Sequence, residues 1–188
     1  LYQYTSLAAQ RLWVDDISFT FKPNNQNDHD AIVSPPPEQI PSGIIVTHSH
    51  SPDKAVEILR FIVTDQGSSD GLPTYPIRLR FIRVDNLNEA QWRETIAGVT
   101  LTQPDGLTVP TSTTHILNDA IELELEPNAL KIPNGGSLTL TLSIYLKATG
   151  IVDGGTIQLG IPNDGSGWEA HHTGSAFASA FAEPIISN

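Results

Sequence analysis

At 188 residues, the chain is long enough for one large domain whose core needs neither a disulfide nor a metal to hold it. It contains no cysteine, which excludes thiol catalysis, zinc–thiolate sites and disulfides together. A formal charge of −11 argues against nucleic acid, whose phosphates need a basic footprint, and against anionic membrane surfaces.

No apolar run approaches the ~20 residues of a membrane span, so membrane insertion is not expected. The acidity fits an extracellular protein that stays soluble and meets divalent cations. The chain also lacks methionine and opens at Leu1, so it is expected to be an excised segment of something longer.

Along the first fifty residues, Trp13, Ile17, Phe19 and Phe21 keep mostly even spacing and predict an early strand. A polar turn follows, then Pro35-Pro36-Pro37, which has no amide donors and reads as a stiff connector or edge segment. Gly43 to His48 returns to strand character. Residues 1–53 are therefore read as an N-terminal strand segment and connector, and residues 54–188 as the main domain.

From Lys54 the pattern sharpens. Val56 to Val63 reads as a strand whose alternation slips at Ile58–Leu59, the mark of a bulge or of burial on both faces. Ile77, Leu79 and Phe81 alternate with Arg78 and Arg80 in a half-buried strand. Asn88 to Ile96 predicts one short helix, capped by Asn88, with Trp92 and Ile96 turned inward. Short strands follow at Val99–Thr102 and Thr113–Leu117, and Ile121, Leu123 and Leu125 alternate with three glutamates. Leu138 to Leu146 alternates most cleanly and predicts a central strand. Two more strands are expected at Ile157–Ile161 and Ala176–Ala182. Short alternating strands broken by Gly, Pro, Asn and Asp predict an all-β fold. The expected form is an antiparallel immunoglobulin-like or jelly-roll β-sandwich with one short helix and an N-terminal extension.

The stretch Thr64 to Thr74, TDQGSSDGLPT, joins two apolar strands and carries the first candidate site. Asp65 and Asp70 flank a Gly/Ser segment, so carboxylates and backbone carbonyls there suit one hard cation such as calcium. The spacing departs from the EF-hand, and the same residues also read as structure. On that reading Asp70-Gly71 makes a tight turn, Pro73 sets the exit and Asp65 caps backbone amides.

Other candidates are weaker. His48 and His50 sit two apart on an expected strand and so could share a face, whereas adjacent His171 and His172 would point to opposite faces. Glu122, Glu124 and Glu126 form a row on one strand face, without the cross-cleft pairing that glycoside hydrolysis needs, and read as a solvated surface. Ser166 lacks a GxSxG elbow. Trp168, after Gly165-Ser166-Gly167, is the candidate exposed indole for stacking on a sugar, with Tyr75 as the alternative platform; Trp13 and Trp92 are the remaining tryptophans. No catalytic constellation survives, so the chain is not expected to be an enzyme.

The order of an apolar strand, Thr64-Asp65, Asp70-Gly71-Leu72-Pro73-Thr74, a second apolar strand, then Trp92, Ile96, Gly98, Val99 and Leu101 resembles a domain of large secreted proteins of Bacteroidetes-type bacteria. The later Leu138–Leu146 strand, Asp153-Gly154-Gly155-Thr156-Ile157 and Gly174-Ser175-Ala176-Phe177 are similar too, so the resemblance covers about residues 54–180. It implies a repeated module exported by the type IX route to the cell surface and linked with adhesion and display. The expected partners are copies of itself or neighbouring domains of a longer chain. The leading segment would then pair with a neighbour's sheet edge. The alternative function is a carbohydrate-binding module with a structural calcium and a glycan ligand, and a hydrolase is the last choice.

Overall fold

The cleanest alternation in the sequence becomes the middle of the molecule. A computed structural model describes residues 28–188 apart from 47, 68–69 and 85–88. The strands are β1 (Ala31–Ser34), β2 (Val56–Asp65), β3 (Pro76–Arg83), β4 (Ile96–Thr102), β5 (Thr111–Ile116) and β6 (Ala120–Leu125). They continue with β7 (Ser137–Leu146), β8 (Leu159–Ile161), β9 (Glu169–Ala170) and β10 (Ile185–Ile186). One sheet has the order β1-β2-β7-β4, and the other β10-β8-β3-β6-β5 with β9 also on β3. The protein is an all-β sandwich of two antiparallel sheets. Among the described residues no helix is long and apolar enough to cross a membrane.

β7 lies between β2 and β4, as its pattern predicts. Leu140, Leu142 and Ile144 are fully buried against the facing sheet, and each contributes about 1.5–3 kcal/mol. The β2–β7 register shifts between Glu57 and Leu59, where the alternation slips, so the irregularity is a bulge. Across the sandwich, Phe61 of β2 meets Phe81 of β3 with ring centroids 5.6 Å apart.

The proline-rich stretch has a definite place. β1 pairs with β2 from Ala31–Asp65 to Ser34–Ile62 and then leaves at Pro35. Beyond that point the Gln39 carboxamide takes over the exposed edge of β2. Its Nε2 donates to the Arg60 carbonyl at 2.9 Å, and its Oε1 accepts from the Arg60 amide at 2.7 Å. One side chain satisfies both strand groups and closes the edge to a stray partner.

Three expected elements come out differently. The helix shrinks to α1 (Trp92–Thr95); Trp92 is fully buried as expected, but Ile96 opens β4. Its expected cap, Asn88, lies outside the described residues, as does the early strand with Trp13. Residues 43–46 are not a strand, and Ile44 is 90% exposed; among the described residues no strand pairs with them. Ala176–Ala182 is bent rather than a strand. A strand would put Phe177, Ser179 and Phe181 on one face, yet both phenylalanines are buried while Ser179 is exposed.

Candidate functional site

The central loop begins where β2 ends, and Asp65 is fully buried there. A buried carboxylate needs donors, and this one has them on both oxygens. The Thr74 hydroxyl donates to Oδ2 at 2.8 Å, while the Gly67 and Gly135 amides donate to Oδ1 at 3.0 and 3.4 Å. Asp65 thus ties the end of β2 to the far side of its own loop and to the Pro133–Gly136 turn that leads into β7. Gly67 adopts φ +80°, and a Cβ there would sit 3.1 Å from the Gly135 Cα, so the two turns meet glycine against glycine. Asp70 faces solvent and accepts from the Leu72 amide at 2.9 Å. Asp65 thus makes a latch and Asp70 a turn, the contacts that the structural reading of this pair expects. Among the described residues no three carboxylate or imidazole groups are arranged to hold a metal ion.

A third aspartate in this region escapes sequence reading. Asp30 immediately precedes β1, and both its carboxylate oxygens are shut off from solvent without a hydrogen-bond partner. Ser175 is adjacent, but its hydroxyl donates to the Leu72 carbonyl at 3.2 Å. Burial is the main cause holding the Asp30 carboxyl above the usual carboxylate range; Ser175 opposes the shift, and the charges of Asp65, Asp28 and Asp70 add to it. Only the fold brings residue 30 to this loop, so its sequence context gives no signal.

The raised value carries a cost with a defined sign. Below the unfolded-state value of about 3.9, Asp30 is protonated in both states and folding is unaffected. As pH rises through the folded-state value, the group must ionise in an unfavourable place and stability falls. Asp30→Asn is therefore expected to raise the melting temperature at pH 7. The gain should vanish near pH 3. A thermal melt at the two pH values checks this, and an unchanged or lower Tm at pH 7 would refute it.

Trp168 is not an exposed stacking platform, which corrects the sequence expectation. It is 5% exposed. Its indole lies edge-on to Phe61, Phe81, Phe177 and Phe181, with centroids 5.4–6.0 Å away. Its Nε1 donates to the Arg80 carbonyl at 3.1 Å. The preceding glycines explain the inversion. Gly165 and Gly167 adopt φ +66° and +77°, which folds the loop back on itself and aims the next side chain inward. A Cβ on Gly167 would collide with the Arg80 stem at 2.6 Å. Ser166 serves this turn, its amide donating to Asp164 Oδ1 at 2.9 Å.

Tyr75 is half-buried just before β3, and its carbonyl accepts from the His171 amide at 2.8 Å. His171 and His172 do not diverge as a strand would have them; their rings stack 4.2 Å apart, because the chain turns after β9. His48 and His50 are exposed and lie outside any strand. The glutamate row is not uniform either. Glu122 is half-buried and pairs with Arg78 at 3.0 Å and Arg80 at 3.5 Å, whereas Glu124 and Glu126 face solvent. At the end of the sandwich near α1, an open groove of about 550 Å³ is lined by Ile45, Leu146, Ile151 and Ile157.

No family model, curated protein or solved structure matches this chain.

Proposed function

We propose that this chain is a non-catalytic structural or adhesive module of the bacterial cell surface, working by display and by assembly with copies of itself or with neighbouring modules. The observation that carries this reading is where the chemically capable side chains are spent. Asp65 latches two turns, Trp168 closes the core, and Glu122 is held by two arginines. These three groups, each of which suggested a ligand or a reaction, serve the sandwich. Sheet faces and strand edges remain for the outside world, on a surface kept soluble by a charge of −11. The resemblance of residues 54–180 to repeated exported modules supports the same reading.

Light scattering of the purified chain over a range of concentrations tests it. The expected result is assemblies of many copies of the 20.4 kDa chain. A species that stays at 20.4 kDa at every concentration would overturn the assembly reading.

A further inference from the structure

We propose that β1 is an exchangeable strand: one copy of the chain lifts it out of its own slot and docks it in the identical slot of the next copy. This rests on the structural-module reading and names the contact through which copies join.

The slot has two walls. On one side β2 pairs with β1 from Ala31–Asp65 to Ser34–Ile62, and the Gln66 amide donates to the Asp30 carbonyl at 3.0 Å. On the other, the Ala31 amide donates to the Ala176 carbonyl at 3.1 Å, and the Ala31 carbonyl accepts from the Ala178 amide at 2.8 Å. The Asp30 carbonyl thus faces β2 while the backbone groups of Ala31 face residues 176–178. An extended guest strand alternates in this way and is bonded from both sides. Ala31 and Val33 turn two small apolar side chains into the core. Gln39 seals β2 at Arg60, so the slot ends after Ser34. These contacts all join β1 to the body of the sandwich, so the same strand from another copy remakes them.

β1 is lightly held for a strand of a sheet. It has four residues, of which Ala31 and Val33 are buried. Asp30 enters the slot just ahead of it, and both carboxylate oxygens are shut off from solvent without a hydrogen-bond partner among the described residues. Docking therefore takes a carboxylate away from water and gives it nothing in return, and lifting β1 out restores its hydration. A short terminal strand with that burden belongs to the elements that open first.

The hinge favours a neighbour as the receiver. Ser34 lies opposite Ile62 and Gln39 binds Arg60, two residues apart on β2 and so separated by about 7 Å. The chain joins these points through Pro35-Pro36-Pro37 and Glu38. Polyproline advances about 3.1 Å per residue, roughly 15 Å over this stretch. Keeping β1 in its own slot therefore bends a stiff segment, and the bend falls at Pro37 and Glu38. Straightening carries β1 away from its own β2 and toward another body, while Gln39 stays in place. A short hinge that has to bend in the closed form favours exchange over return.

The test exploits a chain without native cysteine. Ile32 and Thr64 are direct partners across β1 and β2, and both are half-buried. Ile32→Cys combined with Thr64→Cys places two thiols within disulfide reach wherever β1 docks. The double variant is assembled at high concentration under reducing conditions, then oxidised and run on a denaturing, non-reducing gel. The expected result is a ladder of linked chains holding most of the protein, which neither single variant gives. Assemblies whose disulfides all lie within single chains would overturn exchange while leaving the structural reading in place. Should the double variant fail to fold or to oxidise, Pro35→Gly, Pro36→Gly and Pro37→Gly together relax the hinge of the parent. Mean assembly mass by light scattering is then expected to fall severalfold with the melting temperature changed by only a few degrees. An unchanged mass would overturn exchange as well. A parent chain that stays a single copy at every concentration would overturn both the exchange and the structural reading.

Discussion

Trp168→Ala is expected to lower the melting temperature by about 10 °C or more. Removing a fully packed indole costs about 3–5 kcal/mol, and each kcal/mol shifts Tm by about 2–4 °C in a chain of this length. The upper part of that range applies here, because four phenylalanines from both sheets and the C-terminal loop share the ring. A cavity at such a junction cannot be closed by moving one neighbour. Trp168→Phe separates two contributions: it keeps most of the ring contact but gives up the bond to the Arg80 carbonyl, at about 1 kcal/mol. Circular dichroism melts of the three proteins decide the matter. If Trp168→Ala melts with the parent and loses only glycan binding, the indole is a ligand platform after all.

Asp65→Ala should be nearly as damaging, at about 3 kcal/mol. The substitution leaves the Thr74 hydroxyl and the Gly67 amide without their acceptor inside the protein, and each such group costs about 1–3 kcal/mol. Asp65→Asn keeps one acceptor oxygen and should lose roughly half as much. Because the latch joins the central loop to the Pro133–Gly136 turn, the loss should also be local. Limited proteolysis of Asp65→Ala should cut within residues 66–73 well before the parent is cut there. A variant with unchanged melting and an uncut loop would show that the carboxylate does not hold these turns together. Calcium is a separate question with a simple reading: protection of the parent loop by added calcium would place a cation there.

Most strands were legible because alternation is a local property. β7 and the bulge in β2 could be read residue by residue, since each side chain's face follows from its neighbours along the chain. Ala176–Ala182 misleads for the same reason. Its composition suits a strand, but the packing of Phe177 and Phe181 around Trp168 bends it. Gly165-Ser166-Gly167 looks like an exposed loop because glycine signals a turn without saying which way the chain comes out. The positive φ of two of its residues sends Trp168 inward.

The sequence by itself determined the class: two sheets of short antiparallel strands, a central β7 and an irregularity in β2. These follow from the period of apolar residues and the placement of turn formers, which need no knowledge of what lies across the core. Only the tertiary structure decided the fate of the candidate residues. Whether Asp65 reaches the Pro133–Gly136 turn, whether Trp168 meets solvent or four phenylalanines, and whether Asp30 is exposed or shut off from solvent depend on partners far away in the chain. No local pattern encodes them, because burial and pairing are set by contacts made between sheets and loops.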